Sequence, residues 1–187
     1  MILLQKFEYI KPICKTKYYI PFLKIERTNN KRNTNYMKKP ATKDLIFVTI
    51  QLLLFIVYLF PITLFDFQIN NVLKYTSLLL SIAGFVIIFI AFIQLDQNLT
   101  PFPTPKDNGS LIQTGLYKLV RHPIYSGIII TTVFFGFYQQ SFWKISIGIA
   151  LWILFYFKSK YEEKLLSNQF NDYQKYKEST KRFFPFL

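Results

Sequence analysis

The sequence predicts an all-α integral membrane protein with about four transmembrane helices, the last continuing into a cytoplasmic amphipathic helix. Three observations support this fold class: long uncharged apolar runs, a high aromatic content and a one-sided distribution of basic residues. Hydrophobic residues make up 51% of the 187-residue chain, and 21 of its residues are Phe. A soluble domain of this size would have difficulty burying so many rings, because much of its chain must lie at the surface.

The apolar residues form runs long enough to cross a bilayer. Three runs of 21 residues contain no charge, at 45–65, 75–95 and 123–143. A helix needs about 20 mostly apolar residues to span the hydrocarbon core. A fourth run, 145–157, has only 13 residues, but Lys144 and Lys158 at its ends can snorkel and residues 141–143 can extend it. We therefore predict four spans.

The net charge of +13 is arranged as membrane topology requires. Residues 1–43 contain eleven Lys or Arg, the tail from position 158 contains seven and loop 96–122 contains three. The connections at 66–71 and 139–143 contain none. With four spans, all the basic segments lie on one side, which the positive-inside rule makes the cytoplasm. We therefore predict cytoplasmic N- and C-termini, contact with membrane lipids and no nucleic-acid partner.

The chain divides into a basic arm and a membrane domain. Residues 1–43 are polar and basic, and Met37 just before the first span resembles a natural start. Residues 1–36 are therefore either a disordered arm or upstream sequence, and we assign them no function. The membrane domain is predicted at 44–187. A single cysteine excludes an internal disulfide, and we predict no metal site.

The stretch LVRHPIYSG, residues 119–127, contains the only histidine of the chain. Pro123 suits the first turn of a helix, so span three should begin there, with Arg121 and His122 at its cytoplasmic end. His122 and Tyr125 then share a helix face, and Gly127 permits close approach of a ligand or another backbone. The alternative is that Arg121 is a topological anchor and Tyr125 an interfacial aromatic.

Two adjacent carboxylates, Glu162 and Glu163, follow the fourth span by one turn. Topology places them on the same side as His122, where they could bind a cationic ligand or its hydroxyl groups. Alternatively they belong to a solvated helix, with an exposed Lys158–Glu162 ion pair of little energetic value. The chain contains no G-x-G-x-x-G, P-loop or H-E-x-x-H motif, so any cofactor must be held by helix ends and loops.

The sequence resembles the isoprenylcysteine carboxyl methyltransferase family, within a wider group that includes phosphatidylethanolamine N-methyltransferases. The resemblance rests on TGLYKLVRHPIYSG, a hydrophobic hairpin, and EEKLLSNQFNDYQKYKESTKRFFPFL, in that order over about residues 94–187. It implies a membrane methyltransferase that uses S-adenosyl-L-methionine, in a cytoplasm-facing site within 106–187. The lipophilic methyl acceptor would enter from the bilayer.

The resemblance also implies which residues form the site. The expected cofactor-binding residues are Ser110, Leu111, Ile112, Tyr117, His122, Pro123, Ile124, Tyr125 and Glu162. Lys158 would face the acceptor. Further candidates are Arg121, Gly127, Glu163 and Arg182. The resemblance identifies no catalytic residue.

The sequence departs from the family at several positions, of which Lys158 is the most informative. The prenylcysteine enzymes have arginine there, and lysine cannot hold a carboxylate through two parallel hydrogen bonds. The acceptor, whether a carboxyl, amine or thiol, therefore stays open, as does the oligomeric state. Two alternatives remain: an NADPH-dependent membrane reductase of the steroid or sterol type, or a non-catalytic membrane protein. Against the reductase, Ile128 follows Gly127 where that motif usually continues into glutamate.

Overall fold

The computed structural model describes residues 41–60, 62, 66–106 and 109–185. The predicted basic arm therefore lies outside the described residues up to position 40. The structure contains five α-helices and two short 3₁₀ helices over the described ranges. These are α1 (Thr42–Leu59), α2 (Asn71–Leu95), 3₁₀ helices Asp96–Asn98 and Gly115–Lys118, α3 (Pro123–Tyr138), α4 (Phe142–Gln169) and α5 (Tyr173–Ser179). Only isolated bridges, and no β-strand, occur in this part of the chain, so the all-α prediction is confirmed.

Three of the helices, α1, α2 and α4, are long and apolar enough to cross a membrane. Their outer faces carry large apolar side chains in the open: Leu52 is 55% exposed, and Phe85 and Phe89 are each 62% exposed. Such a surface is unfavourable in water and favourable in lipid, where the helices satisfy their own backbone hydrogen bonds. The protein is therefore a membrane protein.

The boundary between the third and fourth apolar segments lies within the predicted connection at 139–143. The uncharged run 123–143 does not form one helix, because α3 ends at Tyr138 and Gln140 adopts a left-handed φ of 56°. α4 begins at Phe142, within the predicted extension, and is 28 residues long. The 16 residues of α3 rise only about 24 Å at 1.5 Å each, less than the roughly 30 Å hydrocarbon core. The weak segment is thus the third rather than the fourth.

The predicted continuation of the fourth span into the tail is interrupted. α4 extends beyond its apolar part to Gln169, then Phe170 is extended and the Asn171-Asp172 pair forms a turn. Asn and Asp favour turns because their side chains bond to nearby backbone. α5 is therefore a separate short helix, and the break lies at Phe170 rather than near Arg182.

The connections predicted to share a side of the membrane meet at the same end of the bundle. At one end, Asp66 forms a bridge with Ser141, and Phe67 N–H donates to the Gln140 carbonyl at 3.1 Å. At the other end, Val120 bridges Lys181 of the C-terminal tail. The helices between these ends pack in the order α2, α3, α4 and α1, with Leu151 and Phe155 of α4 in the core.

α2 and α3 approach closely at a pair of glycines. A Cβ added to Gly84 would lie 2.8 Å from Thr131 N and 2.9 Å from Gly127 O. A Cβ added to Gly127 would lie 2.7 Å from Gly84 O. Small residues let membrane helices pack backbone to backbone, which supplies van der Waals contact where lipid offers no hydrophobic driving force. Of the two roles predicted for Gly127, its position therefore matches the approach of another backbone.

Gly84→Val is expected to destabilise the protein markedly, because backbone atoms of α3 occupy the space that the new side chain needs. Overpacking of this kind typically costs about 1–3 kcal/mol, and here two helices must separate. The matched control is Ala83→Val, which adds bulk at the adjacent exposed position of the same helix. Thermal unfolding in detergent should give a clearly lower midpoint for the Gly84 variant than for the control. Equal midpoints would contradict this packing.

Candidate functional site

A cavity lies at the end of the bundle where loop 96–122, the end of α4 and α5 meet. Its empty volume is about 690 Å³, including the open space at its mouth. Sites for small molecules usually combine apolar walls with a few convergent polar groups. The cavity fits this description, because Phe102, Leu111, Leu166 and Phe170 lie beside polar groups. The polar lining residues include Asn98, Ser110, Tyr117, Arg121, His122, Glu162 and Tyr173.

The C-terminal tail holds His122 in place at the start of α3. Pro123 occupies the first turn of α3, as predicted, and His122 is the residue before it. The backbone N–H of Arg121 donates to the Lys181 carbonyl at 2.8 Å, and that of His122 donates to the Arg182 carbonyl at 3.1 Å. The His122 side chain is 5% exposed. The motif and the distant tail therefore form one local structure.

Loop 96–122 is folded onto the end of α2, which brings its residues to the cavity. The Leu116 N–H donates to Gln94 Oε1 at 2.9 Å. Gly115 has a φ of 60°, a conformation that favours glycine, and a Cβ there would lie 2.4 Å from Gln94 Nε2, so a larger residue would also displace the Gln94 side chain. Farther along the loop, the Ser110 N–H donates to Asn98 Oδ1 at 2.8 Å.

Glu163 lies at the centre of a buried charge cluster. Its Oε1 accepts from Arg121 Nε and Arg182 Nε, each at 3.0 Å, and its Oε2 accepts from Arg182 Nη2 at 2.8 Å. Lys177 Nζ lies 3.6 Å from Oε2. These hydrogen bonds to Glu163 raise the pKa of Arg182 above its ordinary value. Glu163 therefore links α4 to the tail and to residues 121–123, the RHP motif, and it does not line the cavity.

Glu162 points in a different direction and does line the cavity. Successive residues of a helix are separated by about 100°, so two adjacent carboxylates point in different directions. Glu162 Oε2 accepts from the Tyr125 hydroxyl at 3.0 Å and lies 3.7 Å from His122 Nδ1. Within the described residues Oε1 makes no hydrogen bond, and the side chain is 26% exposed. The cavity wall thus presents a carboxylate oxygen that can accept hydrogen bonds from a ligand.

A stack of three rings supports this wall. The His122 and Tyr125 rings lie 5.4 Å apart and nearly parallel, and Tyr125 stacks on Phe155 at 4.6 Å. His122 Nε2 lies 3.4 Å from Glu163 Oε1 but makes no hydrogen bond in the described part of the chain. The predicted face shared by His122 and Tyr125 is therefore present. Tyr125 does not line the cavity, and its hydroxyl instead donates a hydrogen bond to Glu162.

Lys158 is buried away from the cavity lining. Its ammonium donates to Gln51 Oε1 on α1 at 2.7 Å and to the Pro101 carbonyl at 3.0 Å, and it lies 5.4 Å from the centre of the Tyr125 ring. These contacts connect α1 and loop 96–122 to α4. The acceptor-binding role of Lys158 stays a prediction, and two of the three donors of its ammonium are used by partners within the protein.

Three tyrosines complete the cavity. The Tyr176 hydroxyl donates to the Tyr117 carbonyl at 2.5 Å, and the Tyr117 hydroxyl donates to the Ala91 carbonyl at 3.4 Å. Burial raises the pKa of Tyr176 to about 12, and it raises the pKa of Tyr117 and Tyr173 further. All three hydroxyls are therefore protonated donors at neutral pH.

The predicted site residues separate into two groups. Those that line the cavity are Ser110, Leu111, Ile112, Tyr117, Arg121, His122 and Glu162. Those outside its lining are Pro123, Ile124, Tyr125, Gly127, Lys158, Glu163 and Arg182. Sequence reasoning missed Tyr173, whose spacing indicated only a helix face. Among the described residues there is no group of three or more His, Cys, Asp or Glu side chains that could hold a metal ion.

Comparison with known families gives a match over most of the chain. A family model described as "Protein of unknown function (DUF1295)" matches residues 24–180, which is more than four-fifths of the chain. The chain therefore belongs to this family. A search of curated proteins gave no match.

Proposed function

We propose that this member of the DUF1295 family is an integral membrane methyltransferase that uses S-adenosyl-L-methionine and methylates a lipophilic acceptor. One observation carries the proposal: at the end of the apolar helices, a cavity is lined by Glu162, whose Oε1 makes no hydrogen bond within the described residues, and by the His122 ring beside it. A carboxylate oxygen at a cavity wall can accept strong, charge-assisted hydrogen bonds, so a ligand with hydroxyl or ammonium donors is expected there.

The residues of the cavity fit the proposed cofactor. When bound, S-adenosyl-L-methionine supplies an electrophilic methyl group on a sulfonium. Glu162 Oε1 can accept hydrogen bonds from ribose hydroxyls or an ammonium group, and His122 and Tyr117 stand beside it. Ser110, Leu111 and Ile112 supply the loop wall. The chain itself would align the two reactants and exclude water, which are the main protein contributions when the nucleophile needs no activation.

The acceptor class depends on proton transfer. A carboxylate needs no base, whereas an ammonium must first lose a proton to become a nucleophile. His122, the only histidine of the chain, is the candidate base. However, its ring lies between Glu162 and Glu163 and stacks on Tyr125. We therefore leave the acceptor as a carboxyl, amine or thiol group on a lipophilic molecule that enters from the bilayer.

The proposal includes four spans with both termini in the cytoplasm. The contact between the basic loop 96–122 and the basic tail supports one common side for both, through the Val120–Lys181 bridge. The uncharged connections meet at the opposite end. The positive-inside rule then assigns the cavity to the cytoplasmic side. In this topology α3 is the third of the four spans and the shortest of them.

The reductase alternative calls for an extra arginine cluster that can bind the 2′-phosphate of NADPH. Arg121 and Arg182 are the arginines near the cavity, and both are already hydrogen-bonded to Glu163. Withdrawing them would leave a buried carboxylate without partners, which is strongly unfavourable. This observation favours the methyltransferase, while a non-catalytic membrane protein would bind neither cofactor.

Calorimetric titration of the detergent-purified full chain tests the proposal. The titrants are S-adenosylhomocysteine and, in parallel, NADPH. Binding of S-adenosylhomocysteine without NADPH binding is expected. Binding of NADPH would instead favour a reductase, and binding of neither by folded protein would contradict both enzymatic assignments.

A further inference from the structure

Tyr173 is a buried side chain in the cavity wall whose hydroxyl lacks a partner. The residue is 1% exposed and lines the cavity, and its hydroxyl makes no hydrogen bond within the described residues. A buried hydroxyl without a partner typically costs about 1–3 kcal/mol. The neighbouring Tyr176 differs, because its hydroxyl is satisfied by the Tyr117 carbonyl. The unsatisfied donor of Tyr173 therefore indicates a group supplied by a ligand.

The surroundings of Tyr173 restrict the chemistry of that group. The negative charges of Glu163 and Glu162 both act on its hydroxyl, and Arg121 opposes them. Arg121 is already paired with Glu163, so the hydroxyl needs only an uncharged acceptor on the ligand as its partner.

The adjacent wall suits a flat apolar ring. Phe170, Leu166 and Tyr176 line the cavity with Tyr173, and the rings of the two tyrosines lie 5.9 Å apart, edge to face. Aromatic and aliphatic walls bind planar bases by stacking and leave their edges for hydrogen bonding. An adenine has neutral ring nitrogens at its edge that accept hydrogen bonds.

We propose that the end of α4 and α5 form the nucleoside subsite of the cavity, in which the Tyr173 hydroxyl donates a hydrogen bond to the adenosine part of the bound cofactor. This inference rests on the proposed function and adds a binding residue that the sequence motif does not identify. It also divides the cavity, since the amino-acid part of the ligand is then held away from Tyr173.

Tyr173→Phe tests this assignment with two probes. S-adenosylhomocysteine contains the amino-acid part, and 5′-methylthioadenosine lacks it. Loss of one neutral hydrogen bond is expected to weaken the binding of both probes by a similar factor of about three to ten. Weaker binding of S-adenosylhomocysteine alone would overturn the proposal, because the hydroxyl would then contact the amino-acid part. Unchanged binding of both probes would also overturn it.

Thermal unfolding of the ligand-free protein separates binding from a structural role. Tyr173→Phe should leave the unfolding midpoint unchanged or raise it, because it removes an unsatisfied hydroxyl. The matched variant Tyr176→Phe removes a satisfied hydrogen bond and should lower the midpoint. A lowered midpoint for Tyr173→Phe would overturn the inference. If the folded wild type binds neither probe, the proposed function and this inference both fail. If the wild type binds both probes and Tyr173→Phe binds them equally well, only this inference fails.

Discussion

Replacing Glu163 by glutamine is expected to lower the free energy of unfolding by about 3–5 kcal/mol, because the change leaves buried cations without their counter-charge. Arg121 and Arg182 both donate to this carboxylate, and the Arg121 side chain is only 8% exposed. Glutamine keeps the shape of the side chain but has one acceptor oxygen and no charge. The tail and the RHP motif should therefore separate, as measured by thermal or denaturant unfolding in detergent and by protease sensitivity of the tail.

The matched control is Glu178→Gln on α5. Glu178 is exposed and accepts a hydrogen bond from Gln174 at 3.1 Å, a contact whose loss should change stability by only a few tenths of a kcal/mol. If the Glu163 and Glu178 variants unfold at the same midpoint, Glu163 does not hold the tail. Restoring stability by removing Arg182 as well would confirm that the effect comes from an uncompensated cation.

Much of the fold could be predicted from apolar runs and one proline. The composition of the spans and the start of α3 at Pro123 follow from local chemistry, which the sequence records directly. The connection at 139–143 was predicted, but the geometry of its turn could not be read in this way. Residues 139–143 have no charge or proline, and the turn depends on the left-handed backbone of Gln140 and on pairing with residues 66–67.

The candidate site was predictable in its location but not in the roles of its residues. The predicted topology placed the RHP motif and the Glu162-Glu163 pair at the same end of the helix bundle. Helix geometry separates the directions of Glu162 and Glu163, but which of the two faces the cavity depends on the neighbours of α4, and sequence spacing does not specify these neighbours. Likewise, Tyr173 belongs to a regular helix pattern, and only the position of α5 against the cavity distinguishes it from a packing residue.

Glu162→Gln is expected to leave the fold intact and to weaken S-adenosylhomocysteine binding about tenfold to a hundredfold. Hydrogen bonds to a charged group are worth about 1.5–3 kcal/mol, and the amide removes the charge from the oxygen that faces the cavity. Stability should change little, because the glutamine oxygen can still accept from Tyr125 and the side chain is partly exposed. Calorimetric titration of the folded variant measures the affinity.

One control and one further variant accompany this prediction. Glu178→Gln removes an acidic group outside the cavity lining and should bind like wild type. His122→Ala removes the ring beside Glu162 and should also weaken binding without unfolding the protein. If both Glu162→Gln and His122→Ala bind with wild-type affinity, the cavity is not the cofactor site. If Glu162→Gln instead lowers the free energy of unfolding as much as Glu163→Gln does, the two carboxylates share one structural role. A binding role for Glu162 requires that its replacement weaken binding in a protein that is still folded.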